Sequence, residues 1–128
     1  RDSGCNIIIG NRQDSYNDRA VKDGFTVAPI KDVVPDADII LLLIPDQAQK
    51  DIYNSLIKDH LNGKILIFAH GYSIHFNEIV PPENTDIALL APRMPGEPIR
   101  DYFLAGNGVP AFVDVFQNGE LVNRSELV

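Results

Sequence analysis

His70 stands behind the apolar run KILIF and ahead of Gly71, in the stretch FAHGYSIHF. An imidazole at the end of a buried strand costs free energy unless it is hydrogen-bonded or used. It can order a substrate or water, or relay a proton; taken alone, a satisfied structural histidine accounts for it as well. Three further segments place polar groups after apolar runs. Gly10-Asn11-Arg12-Gln13-Asp14-Ser15 joins a strand to a helix. There Arg12 and Ser15 suit a phosphate and Asp14 a hydroxyl, although a solvated loop with a helix cap also fits. Pro45-Asp46-Gln47-Ala48-Gln49 offers free backbone donors and side-chain amides where a strand turns into a helix, and Asp46 alone also reads as an N-cap. Ala91-Pro92-Arg93-Met94-Pro95-Gly96 is a turn stiffened by prolines. Gly96 leaves room for a ligand there, and Arg93 can hold an anion or pair with an acidic neighbour. Metal spacing, a P-loop and a serine nucleophile elbow are not seen, so no metal-ligating residue is assigned.

The elements that carry these residues follow from periodicity and punctuation. NIIIG (6–10) predicts a short buried strand, and Ser15 to Lys22 a helix capped by Asp14 or Ser15 and stopped at Gly24. Phe25 to Ala28 reads as a second strand, and Lys31 to Val34 as one helical turn. Ala37 to Ile44 is apolar at every second position on both sides, as in a parallel strand covered on two faces. From Gln47 to His60, Ile52, Leu56, Ile57 and Leu61 recur at helical spacing, and Asn62-Gly63 ends that helix. Lys64 to Phe68, Asp86 to Leu90 and Val109 to Phe116 read as further strands. Asn118-Gly119 signals a hairpin into ELV. Alternating strands and helices with short connections predict an α/β fold: a doubly wound, mostly parallel, three-layer sheet with right-handed crossovers. In such sheets ligands sit beyond the carboxyl ends of the strands, and Arg12, Asp46, His70, Arg93 and Gly96 all follow strands.

The bulk properties bound the function. At 128 residues the chain suits one domain, spanning 1–128. A net charge of −7 argues against nonspecific nucleic-acid binding but leaves room for a small anion held by a few donors. The single cysteine, Cys5, forbids an intrachain disulfide and favours a reducing, cytoplasmic setting. Its apolar neighbours predict a buried thiol. No apolar run is long enough to span a bilayer, so no membrane partner is expected. The opening Arg1-Asp2-Ser3-Gly4 looks like the end of a helix with its glycine stop, as in a trimmed portion of a longer chain.

In a dinucleotide-binding fold the Arg12 loop meets the adenosine ribose, where a carboxylate favours the free 2′-hydroxyl and an arginine the 2′-phosphate. This reading leans towards NADPH and leaves NADH open. The segments RDSGCNIIIGNR, DGFTV, ADIILLLIPDQAQ, FAHGYSIHF, EIVPP, DIALLAPRMPGEPIR and GNGVPAFV together resemble the N-terminal domain of ketol-acid reductoisomerase (acetohydroxy-acid isomeroreductase). The similarity runs from Arg1 to about Phe116. The resemblance implies a Rossmann domain binding NADPH. The family performs a magnesium-assisted alkyl migration on 2-acetolactate, a 2-hydroxy-2-keto acid. Reduction to 2,3-dihydroxy-isovalerate follows, on the route to valine, leucine and isoleucine. It also implies a homo-oligomer. Carried over by motif, Arg12 and Ser15 match the loop that holds the 2′-phosphate. Asp46, Gln47, Ala48 and Gln49 match the PDxxQ cofactor segment, Gly96 the glycine of a proline-flanked turn, and His70 the active-site histidine.

Several features depart from the family. Its G-x-G-x-x-G, with the first strand and most of the first helix, is expected ahead of Arg1. Without that strand two neighbours would keep unpaired inner edges. The helical second domain, which supplies the magnesium carboxylates, is not in these residues, so no complete reaction is expected from them alone. The family's lysine in the proline-flanked turn is Arg93 here, and the glycine after it is Met94. A guanidinium cannot donate a proton as an ammonium can. The Arg12–Gly24 stretch lacks the usual tryptophan, and the tail after Gln117 looks like a hairpin rather than a crossover helix. Two alternatives stay open: a dinucleotide-binding relative without catalysis, and another Rossmann 2-keto or hydroxy-acid dehydrogenase.

Overall fold

In the computed structural model, which describes residues 2–119, strands and helices alternate along the chain. The order is β1 (Ile8–Gly10), α1 (Ser15–Lys22), β2 (Thr26–Ala28), α2 (Ile30–Val33), β3 (Ile39–Leu42), α3 (Asp46–Ile52), β4 (Ile65–Phe68), α4 (Tyr72–His75), β5 (Asp86–Pro92), α5 (Gly96–Leu104) and β6 (Ala111–Gln117). Asp14 rather than Ser15 caps α1, accepting the Tyr16 N–H at 3.0 Å. Gly24 ends that helix region at φ 81°, and Gly63 turns the chain towards β4 at φ 65°. The second strand of the expected hairpin lies outside the described residues. Gly119, at its turn, donates its N–H to Asp86 at 2.9 Å.

The strands do not form one sheet. β1 pairs with β2 in a parallel two-stranded sheet, and β3-β4-β5-β6 form a second, parallel through β5 and antiparallel at β6. As the sequence implies, β1 and β3 each have one neighbour and one free edge among the described residues. The expectation of two covered faces for β3 is corrected as well. Ile40 and Leu42 are buried, but Ile39 and Leu41 are half exposed, because the packed helices lie on one side only.

That packed side is the core. Ile40, Leu42, Leu66, Phe68 and Ile87 of the larger sheet meet Tyr53, Ile57, Leu61, Ile74 and Ile79. α3 does not run on as one α-helix to His60. It widens into a π turn over Tyr53–Ile57 and tightens into a 3-10 turn over Lys58–His60. The buried face includes Tyr53, 1% exposed, which the aliphatic periodicity overlooks. Its hydroxyl donates to the Val80 carbonyl at 3.3 Å, satisfying the one polar atom of a buried aromatic.

α2 joins the two sheets, packing on β1 and on the Tyr53–Ile57 turn. Lys64 fixes its far end: Nζ donates to the carbonyls of Val34, Pro35 and Ala37 at 3.3, 2.6 and 2.5 Å. Cys5 is exposed, not buried as its neighbours predict. Ile7 and Ile8 beside it are also exposed, so this approach to β1 has little packed against it. No helix among the described residues is long and apolar enough to cross a membrane.

Candidate functional site

Because β3, β4 and β5 are parallel, the segments after them emerge on one edge of the larger sheet. Pro45 and the first turn of α3 follow β3, His70 follows β4, and Arg93 to Gly96 follow β5. This edge brings two candidate residues from different strands together: His70 Nδ1 lies 3.7 Å from Asp46 Oδ1. The separation exceeds a hydrogen bond but pairs the carboxylate with the ring whenever the ring is protonated. The His70 side chain is 74% exposed, so the imidazole is not stranded in the core behind its strand.

Asp46 is the first residue of α3, not its N-cap. Pro45 holds the cap position, and no side chain caps the helix there. The Asp46 carboxylate instead accepts the Gln49 side-chain amide at 3.1 Å. Gln47 is exposed and Ala48 half-buried, with the Ala48 N–H bound to the Pro45 carbonyl at 2.9 Å. Gln49 differs from the expected ligand contact. It is 2% exposed, and its amide is engaged at both ends within the protein. One of those partners is Ser73, 1% exposed, whose hydroxyl donates to Gln49 Oε1 at 2.6 Å. Sequence reasoning passed over Ser73. Nothing in HGYSIHF singles it out, and only the tertiary contact reveals it.

Arg12 stands after β1, on the smaller sheet. Its Nε donates to Asp14 Oδ2 at 3.0 Å, and its side chain is 85% exposed. Asn11 organises the loop: Nδ2 donates to Asp14 and Asn17 at 3.2 and 2.9 Å, while Oδ1 accepts the Arg12 N–H at 2.9 Å. The Arg12 hydrogen bond is the main reason the Asp14 carboxyl titrates below its ordinary value, partly opposed by desolvation. Ser15 is exposed at the first position of α1. Arg12 and Asp14 thus present a mutually paired cation and anion at the position expected to read a ribose substituent. The hydrogen-bond partners that hold this loop are its own residues and the Ala28 carbonyl of β2, not Asp46 or His70.

After β5, Arg93 lies over the Phe112 ring of β6 at 4.8 Å, a cation–π contact, and its N–H donates to the Pro110 carbonyl at 2.8 Å. Gly96 opens α5, and a Cβ there would meet nothing within 4 Å. A Cβ at Gly71, beside His70, would likewise meet nothing within 4 Å. α5, GEPIRDYFL, is not among the elements expected from the sequence, where Gly96 reads as the end of a proline-stiffened turn; Pro98 lies in its first turn. Proline is tolerated in a first turn, where the backbone N–H has no helical partner. A recess lined by Phe68, Gly71, Ile74, Leu89, Asp114 and Phe116 adjoins the His70 turn. Among the described residues no three His, Cys, Asp or Glu stand together as metal ligands.

Comparison with known proteins bears on the family. Residues 1–125 match the family model described as acetohydroxy acid isomeroreductase, NADPH-binding domain. A solved structure of an NADH-preferring ketol-acid reductoisomerase from an uncultured archean superposes with a TM-score of 0.86 at 41% identity, over 91% of this chain and 38% of that one. The chain therefore spans well under half the length of that relative. A match over nearly every residue, on a strand–helix order with its polar residues at the strand ends, places this chain in the acetohydroxy acid isomeroreductase family, as its NAD(P)H-binding Rossmann-like domain.

Proposed function

We propose that residues 1–128 are the pyridine-nucleotide half of a ketol-acid reductoisomerase acting on a 2-hydroxy-2-keto acid of the 2-acetolactate type. The observation that carries this reading is the 3.7 Å approach of Asp46 and His70 from two parallel strand ends, on the edge where α/β sheets take ligands. The first turn of α3, Asp46 to Ala48, and the open space at Gly96 would line the nucleotide. Arg12 and Ser15 would face the adenosine ribose. An exposed guanidinium suits a 2′-phosphate, yet Asp14 already occupies its Nε, and the solved relative prefers NADH. The chain therefore accepts both NADPH and NADH, with Arg12 favouring the first and Asp14 the second.

When bound, the reduced nicotinamide supplies a hydride to the substrate's keto carbon. His70 is placed to orient the substrate or a water, or to pass a proton to the oxygen left negative on that carbon. Gly71 and Gly96 leave the backbone close to this space. The described residues do not form a magnesium site, so no step is derived through that ion here. The magnesium-assisted shift and the contacts of a homo-oligomer belong to the rest of a longer protein in this reading.

Calorimetric titration of this chain with NADPH and with NADH tests the proposal. Saturable binding of either nucleotide supports it, and binding of neither overturns it. A second reading, a binding module without turnover, draws on Arg93, which is held over Phe112 at the position of the family's lysine. Nucleotide binding without conversion of 2-acetolactate and magnesium by the complete protein would select that reading.

A further inference from the structure

The buried pair Gln49 and Ser73 shares atoms with the site but touches no solvent. Ser73 Oγ donates to Gln49 Oε1 at 2.6 Å, and the Ile44 carbonyl and Asp46 carboxylate, which can only accept, fix the Nε2 end of the amide on their side. Gln49 Nε2 then has its two hydrogens aimed at the Ile44 carbonyl, 3.0 Å away, and at Asp46 Oδ1, 3.1 Å away. The same Asp46 oxygen is the one 3.7 Å from His70 Nδ1. One line of polar contacts therefore runs from α4 through α3 and the end of β3 to the residue after β4. Of its four side chains, the inner two are 1–2% exposed, while Asp46 is partly and His70 largely exposed.

We propose that Gln49 and Ser73 are positioning residues, which hold the Asp46 carboxylate against His70 Nδ1 so that His70 presents a bare Nε2 to the crevice. A neutral imidazole keeps its proton on the nitrogen that faces an acceptor. The Asp46 carboxylate, 3.7 Å from Nδ1, favours the proton on that side through its charge, which leaves Nε2 free to take or return a proton. A lone carboxylate on a first helical turn swings among rotamers. The amide hydrogen bond from Gln49 selects one of them, and Ser73 anchors the far end of that amide by donating to its oxygen. A flipped amide would set Oε1 against the carboxylate and the Ile44 carbonyl, an arrangement with no donor. In this account Gln49 acts on the cofactor site through Asp46, not by touching the nucleotide.

The inference rests on the reading of this edge as the nicotinamide site, but its test needs no nucleotide. Nitrogen-15 NMR of the neutral His70 ring reports the tautomer directly. The expected result is the Nδ1–H form as the major species. Ser73→Ala and Gln49→Met are each expected to shift the tautomer ratio about two- to fivefold towards Nε2–H, the worth of a partly exposed charge contact. Ser73→Thr, which keeps the hydroxyl, retains the original ratio. If either core variant fails to fold, Asp46→Ala, at a partly exposed position, must produce the same shift. A major Nε2–H form in the unsubstituted chain overturns the proposal. So does an unmoved ratio in folded Ser73→Ala and Gln49→Met, which would reduce the pair to packing. The nucleotide titrations are scored separately, so loss of the functional reading and loss of this relay give different results.

Discussion

Gly10→Ala is the substitution whose cost the structure states most directly. Gly10 ends β1 and carries the Arg12 loop. A Cβ placed there would lie 2.6 Å from Val33 Cγ2 and 3.4 Å from the Ile30 Cα, both on α2. Non-bonded carbons sit comfortably at roughly 3.5–4.0 Å, so the first contact is short by about 1 Å. Val33 cannot yield easily, because a β-branched side chain has few χ1 options in a helix. The Ile30 contact is with backbone, so β1 and α2 must move apart. Overpacking of this kind costs about 1–3 kcal/mol. Urea denaturation should show the midpoint falling with an unchanged slope. Because the displaced strand end carries Arg12, NADPH affinity should fall as well. Val33→Ala removes the obstructing methyl, so the double variant Gly10→Ala/Val33→Ala should be more stable than the sum of the single losses predicts. A neutral Gly10→Ala, or strict additivity in that cycle, would refute the claim that close approach of β1 to α2 requires glycine.

Three further outcomes are expected. Arg12→Ala should weaken NADPH roughly tenfold to a hundredfold while NADH changes little, since a charge-assisted contact to the 2′-phosphate is lost; calorimetry with both nucleotides checks it, and equal losses remove Arg12 from that role. The Asp14 carboxyl titrates below its ordinary 3.8 because Arg12 donates to it, so the order it brings to the loop and the α1 cap is complete above that value. That order disappears only as the pH falls through the depressed value, and the Tyr16 amide signal followed by NMR should move there, a transition absent in Asp14→Asn. His70→Ala in the complete enzyme should cut turnover of 2-acetolactate with little change in nucleotide dissociation constant, and unchanged turnover takes the imidazole out of the chemistry.

Local chemistry explains what the sequence made legible. Most strands are short, largely apolar runs with glycine, proline or asparagine close by, so their order along the chain and the residues that follow them are legible. Family resemblance then supplied the names of the site residues. What stayed hidden depends on contacts remote in sequence. Tyr53 joins the core although its hydroxyl marks it as polar, because Val80, 27 residues away, accepts that hydroxyl. The widening of α3 at Tyr53–Ile57 has no signature in a periodicity that assumes 3.6 residues per turn. Ser73 and Gln49 are 24 residues apart, and nothing local to either shows that the fold buries them on each other. Cys5 shows the reverse error: apolar neighbours predict burial only where another element covers them, and β1 is open on that side.

The division into two sheets gives the two candidate poles different mechanical status. Asp46 and His70 are tied into the larger sheet through Gln49, Ser73 and a core in which Leu66 and Phe68 are 0% and 1% exposed. Arg12 and Asp14 belong to a two-stranded ladder of three residue pairs, and a two-stranded element has little stability of its own. That ladder is held to the rest chiefly through α2, by the Gly10 contact on one side and the Lys64 clamp on the other. A dinucleotide reaching from Arg12 to His70 would bind one rigid pole and one lightly anchored pole, and would itself become a brace between the sheets. Ligand that binds only the joined arrangement stabilises it by mass action. Discrimination at the ribose would then be sensitive to α2 even though α2 touches neither pole, because the position of Arg12 is set by how closely Gly10 approaches Val33.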